Sequence, residues 1–120
     1  MMNKKQRGAE AERAVSFFLE EQGYRIIHRN YRCGQREVDI VAALDGLLVI
    51  VEVKRVDPQL SGVLPPVHPR QEERLRQAAE ELLMQHPEFS EVRFDVALAQ
   101  VLPDGSWHIR HLCDAFGTLH

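Results

Sequence analysis

The chain has 120 residues, 44% apolar and 28% charged, with a formal net charge of −3. That size suits one compact domain that buries a core without disulfide or metal staples, so a single domain over residues 1–120 is expected. No apolar run approaches the ~20 residues of a membrane-spanning helix. Residues 1–13 turn polar and charged where a signal peptide carries its apolar stretch, so a cytoplasmic protein with no membrane partner is expected. Cys33 and Cys113 form no CxxC pair, which argues against a zinc knuckle or a thioredoxin-type site and for two free thiols. His108 and His111 are close in sequence, but side chains three apart on a strand face opposite ways and make a poor metal pair.

In chain order, residues 5–22 read as a helix, with Ala11, Val15, Phe18 and Leu19 on one face and Gly23 as its stop. Tyr24 to His28 is a short strand, and Asn30 to Gln35 a turn around Gly34. Glu37 to Ala43 alternates, placing Val38, Ile40 and Ala42 on one face and Glu37, Asp39 and Val41 on the other. Asp45-Gly46 signals a hairpin turn into Leu47–Val53, whose almost unbroken apolar run fits a central strand covered on both faces. Prolines 58, 65, 66 and 69 make residues 57–69 a loop.

Arg70 to His86 is the second helix, burying Leu75, Ala78, Ala79 and Leu82 and ended by Pro87. Glu91 to Val101 is a fourth strand, and Asp104-Gly105 turns the chain into a fifth, Trp107 to Leu112. From about residue 113 there is no pattern, and a mobile tail is expected. The long connection through the second helix makes the third and fourth strands parallel. The fold class is therefore α/β, a mixed sheet flanked by helices in the order α-β-β-β-α-β-β.

Charge is unevenly spread. Arg25, Arg29, Arg32 and Arg36 occur without an intervening acid, whereas acids dominate residues 71–91. The basic stretch suits either a solvated face or a nucleic-acid contact, which needs local rather than total positive charge.

The chemistry concentrates in Val51-Glu52-Val53-Lys54. Glu52 and Lys54, two apart, project from the same face of a strand. Alone, such a pair reads most simply as a salt bridge. The hairpin adds Asp39, which the Asp45-Gly46 turn brings opposite or diagonal to Glu52. Two adjacent carboxylates repel unless a cation holds them, and Mg²⁺ or Mn²⁺ favours oxygen ligands. A lysine beside such an ion can stabilise a charged phosphate or orient the attacking water. This donor set suits phosphodiester hydrolysis. No Ser-His-Asp or Cys-His set competes, and no glycine-rich phosphate loop is present.

Asp39 followed by Glu52-Val53-Lys54 resembles the PD-(D/E)xK nuclease motif. The order of Gly8, Glu12, Gly23-Tyr24, Arg29-Asn30-Tyr31-Arg32, Glu37-Val38-Asp39-Ile40, Val51-Glu52-Val53-Lys54, Ala78-Ala79 and Arg93-Phe94-Asp95-Val96 resembles the bacterial YraN family, over residues 7–101. That resemblance implies a restriction-endonuclease-like fold similar to archaeal Holliday-junction resolvases. It implies Asp39 and Glu52 as metal ligands, Lys54 at the nucleophile or transition state, and Glu12 as a helix glutamate reaching the metal.

Arg29, Arg32, Arg36 and Arg55 are the candidate nucleic-acid contacts. Glu37 shares the face of Asp39 as a further candidate acid, and Asp95 reads as structural, paired with Arg93 or a loop amide. The expected function is a Mg²⁺- or Mn²⁺-dependent endonuclease acting on branched or single-stranded DNA, working as a homodimer by analogy. The alternatives are a non-catalytic nucleic-acid-binding module on the same fold and a protein-interaction adaptor.

Overall fold

The computed structural model describes residues 4–34, 36–56 and 69–115. The elements in order are α1 (Lys4–Glu21), β1 (Arg25–Cys33), β2 (Arg36–Leu44), β3 (Leu47–Arg55), α2 (Pro69–Gln85), β4 (Glu91–Val101) and β5 (Trp107–Leu112). The proline-rich loop expected after Asp57 and the tail from residue 116 onward lie outside the described residues.

Strong helix formers fill α1, and Ala11, Val15 and Leu19 at i, i+4, i+8 are completely buried. Gly23 ends the helix at φ +96, with its amide bonded to the Glu20 carbonyl and the Tyr24 amide to that of Leu19. This Schellman closure satisfies carbonyls that the helix end would leave orphaned.

The strands form one sheet in the order β1-β2-β3-β4-β5. The β1/β2, β2/β3 and β4/β5 pairs are antiparallel, and β3/β4 is parallel, as the α2 crossover requires. Leu44↔Leu47 closes the β2–β3 hairpin over Asp45 at φ +53 and Gly46.

Two apolar layers cover the sheet. Leu48 and Ile50 of β3 pack with Leu75, Ala78, Ala79 and Leu82 of α2. Val49 and Val51 pack with Ala11, Val15 and Leu19 of α1. The central strand is thus covered on both faces, as its sequence indicates. Among the described residues neither Cys33 nor Cys113 forms a disulfide. Among the described residues no helix is long and apolar enough to cross a membrane.

Two expectations are corrected. β1 does not stop at His28 but runs to Cys33, taking in most of the expected turn. Two irregularities let it do so. A bulge at Ile27 shifts the register between Ile26 and His28, and Asn30 adopts φ +54 within the strand. The simple alternation in β2 also fails. Val38 packs on the α2 side with Val41 and Ala43, whereas Ile40 and Ala42 pack on the α1 side. Residues three apart share a face only if the pleat slips between them. The slip falls at Asp39, beside the irregular Asn30 of the neighbouring strand.

Candidate metal and nuclease site

The β2–β3 register runs from Leu44↔Leu47 to Ile40↔Val51. Past that point a side chain joins the strands: the Val53 amide donates to Asp39 Oδ2 at 2.8 Å. The bond fixes the Asp39 carboxylate beside the segment that carries Glu52 and Lys54, and it leaves Oδ1 uncommitted to that amide.

The electrostatics couple four of the side chains anticipated from the sequence. Burial, and then the charge of Asp39, pushes the Glu52 carboxyl up to about 7; the Lys54 ammonium pulls the other way. Burial also raises Asp39, against the Val53 amide and Lys54. Glu12, reaching in from α1, is raised by burial and next by Asp39. Glu12 and Asp39 act on each other in opposite directions, the contact raising Glu12 and lowering Asp39. Three half-buried carboxyls therefore face one ammonium, an excess of negative charge that protons or a cation must offset.

A fifth residue belongs to this cluster and was missed as a site residue. Asn30 comes close enough to the Glu12 carboxyl to lower its pKa. The ladder pairs Arg29 with Ile40 and Tyr31 with Val38, so Asn30 lies opposite Asp39. Asparagine tolerates the left-handed backbone better than most residues, and that tolerance was the available signal.

The other candidates are scattered. Glu37 is exposed, though its charge bears on both Glu12 and Asp39. Arg29, Arg32 and Arg55 are exposed, with Arg32 opposite Glu37 across the ladder; the Arg36 side chain lies outside the described residues.

A second polar cluster lies in the layer beneath α1. Asp95 is fully buried and accepts from Arg93 Nε at 2.8 Å, Arg93 Nη2 at 2.7 Å and the Asp114 amide at 2.9 Å. His111 Nε2 lies 2.6 Å from its Oδ2, and Arg93 also donates to the Tyr24 hydroxyl at 2.6 Å. The structural pairing with Arg93 and a loop amide is as expected; the His111 and Tyr24 contacts were not foreseen.

Among the described residues, Asp95, His111 and Cys113 are the one set of three whose metal-ligand atoms all lie within 4.8 Å of one another. The carboxylate oxygens of Glu12, Asp39 and Glu52 do not all come within that distance of one another. Yet Asp95 already accepts four bonds, two of them from a guanidinium that would repel a cation, so this set reads as an internal brace.

Fold and site together define an α/β protein in which three acids and a lysine meet where a β-hairpin opens. The profile of the uncharacterised protein family UPF0102 matches residues 11–99. A UPF0102 protein of Granulibacter bethesdensis is 44% identical over 111 residues, covering 91% of this chain and 67% of its own. One from Rhodopseudomonas palustris is 42% identical over 91% of this chain and 82% of its own, and one from Lachnoclostridium phytofermentans 37% identical over 98% and 100%. The chain belongs to the UPF0102 family, the YraN family that its motifs resemble.

Proposed function

We propose that this protein is a metal-dependent endonuclease that hydrolyses phosphodiester bonds in branched or single-stranded DNA. The observation that carries the reading is the convergence of Glu12, Asp39 and Glu52 with Lys54 at the open end of the β2–β3 hairpin. Carboxyl groups gathered against their own repulsion and desolvation are what a hard divalent ion relieves.

The donor set fits Mg²⁺ or Mn²⁺. All three acids offer oxygen, and the Val53 bond orients Asp39. Glu52 and Asp39 would hold the ion. When bound, it supplies an activated water and positive charge for the phosphate oxygens.

The chain's own groups do the rest. Lys54, close enough to lower both Asp39 and Glu52, presents an ammonium to the phosphate oxygens or to the attacking water. Glu12, its pKa lowered by the neighbouring Asn30, holds or releases a proton at the rim. Arg29, Arg32, Arg36 and Arg55 supply phosphate contacts along the strand ends. A homodimer in the cytoplasm, one domain per copy, would present two such sites to a two-fold DNA junction.

The test is a cleavage panel of single-stranded, flap and four-way DNA with and without Mg²⁺ or Mn²⁺. Cleavage of at least one substrate only with the ion, and its loss in Asp39→Ala and Glu52→Ala, is expected. Cleavage that persists in both variants rejects the site. No cleavage of any substrate, with DNA binding intact, favours the non-catalytic module.

A further inference from the structure

A groove of about 410 Å³ runs between α1 and the edge strand β1, beside the carboxylate cluster. Its volume falls in the ~300–1,000 Å³ range of small-ligand pockets. Arg13, Ser16, Phe17 and Glu20, at i, i+3, i+4 and i+7 of α1, form one wall; His28 and Arg29 belong to the other. Arg13 follows Glu12, and Arg29 precedes Asn30, so the groove and the carboxylate site are carried by the same two elements, α1 and β1.

Three features of the groove remain unused by the fold. The Ser16 hydroxyl is buried, its residue only 4% exposed, and has no hydrogen-bond partner. Native proteins leave few such groups, and each needs a reason. Phe17 is 64% exposed, an aromatic face open to solvent. Among the described residues the Arg13 and Arg29 guanidinium groups have no ion pair.

We propose that this groove binds one unpaired nucleotide of the DNA strand, next to the position cleaved. The proposal rests on reading the neighbouring carboxylates as a nucleic-acid site. The phosphate sits between Arg13 and Arg29, and a rotation of the Ser16 side chain brings its buried hydroxyl round to donate to it. Glu20 repels phosphate from the other end of the α1 wall, which fixes the polarity. The base turns towards Phe17, one helical turn from Arg13, and stacks on its ring. Stacking requires an unpaired base, so the groove selects single-stranded or frayed DNA over duplex.

The experiment uses the full chain with a labelled 12-nucleotide single strand, in EDTA, by fluorescence anisotropy. Phe17→Ala is expected to weaken binding roughly 5- to 150-fold. Arg13→Ala with Arg29→Ala should flatten the salt dependence by about 0.7 in log–log slope for each phosphate that is no longer neutralised. Ser16→Ala should bind several-fold more weakly while melting no lower than wild type, because it removes a hydroxyl the folded chain leaves unbonded. Arg110→Ala, an exposed charge on β5, should bind as wild type.

Unchanged binding in Phe17→Ala and in the double arginine variant overturns the groove, as does wild type that binds no oligonucleotide. Competition by a deoxynucleoside monophosphate as strong as by the oligonucleotide also overturns it, reassigning the groove to a free nucleotide. Cleavage is scored on the same proteins with Mg²⁺. Wild type that binds through the groove but does not cleave removes the nuclease reading alone. Cleaving wild type with unaffected groove variants removes the groove alone.

Discussion

Asn30 on β1 lies opposite Asp39 on β2, and both act on the Glu12 carboxyl of α1, Asn30 lowering its pKa and Asp39 raising it. The irregular backbone of one strand and the slipped pleat of the other therefore meet under a helix carboxyl. This pairing carries α1 into a site that the β2–β3 hairpin alone would leave with two acids.

Substitutions at Asn30 should separate backbone from side chain. Asn30→Gly accepts φ +54 and loses only the side chain beside Glu12, so its stability should change by less than about 1 kcal/mol. Asn30→Val puts a β-branched residue in the left-handed region and should lose about 1–2 kcal/mol or more. Urea denaturation of both checks the ranking. Equal stability would mean that the left-handed backbone at residue 30 carries no strain.

The Glu52 carboxyl titrates at about 7 in the folded chain against an ordinary value of 4.5. Between those values the folded state binds the extra proton. The stabilisation is therefore full below pH 4.5 and is lost as the pH rises to about 7. In EDTA at pH 8, Glu52→Gln should be more stable than wild type by about 1–3 kcal/mol, allowing for partial solvent screening. The difference should vanish near pH 4.5. Mg²⁺ should raise the wild-type melting temperature at pH 8 and leave Glu52→Gln nearly unmoved.

Arg93 is the main charge partner of the fully buried Asp95, held by two bonds of 2.8 and 2.7 Å. Arg93→Met leaves that carboxylate uncompensated and should lose about 3–5 kcal/mol in urea melts. Burial pushes the Asp95 carboxyl up, but the His111 and Arg93 bonds outweigh it and hold the carboxyl below its ordinary 3.8. Its stabilisation is thus present above 3.8 and lost as the pH falls through the lower folded value. Arg93→Met should show less of this acid limb.

His28 and His86 meet at 3.4 Å between their Nε2 atoms, linking β1 to the residue after α2. Burial, then His86, holds the His28 pKa below 6.5. The unfolded chain takes up the proton first, so stability falls as the pH drops below 6.5, opposite in sign to Glu52. Thermal melts from pH 7 to 5 should show wild type losing stability relative to His28→Gln. A constant difference would exclude His28 as the titrating group.

The strong periodicities were legible in the sequence. The apolar stripe of α1, the unbroken core of β3 and the Asp45-Gly46 turn fixed both helices, the hairpin and the parallel crossover. The proximity of Asp39, Glu52 and Lys54 was legible because one short hairpin sets their spacing. What escaped depends on contacts between distant elements. The continuation of β1 past His28 needs β2 as a partner, since Asn30 and Gly34 read locally as a turn. The slip at Asp39 lies opposite the left-handed Asn30, and no period of two reveals it. The Asp95 brace gathers Tyr24, Arg93 and His111 from separate parts of the chain, and only the tertiary fold brings them together.

In the proposed function the Asp39 charge, rather than its bond to Val53, serves phosphodiester cleavage. Asp39→Asn keeps an acceptor for the Val53 amide and removes only the charge. The decisive measurement is its cleavage rate in Mg²⁺ on whichever DNA substrate wild type cuts. A loss of at least about 100-fold, with an unchanged fold by circular dichroism, is the expected result; cleavage at the wild-type rate would contradict the assignment.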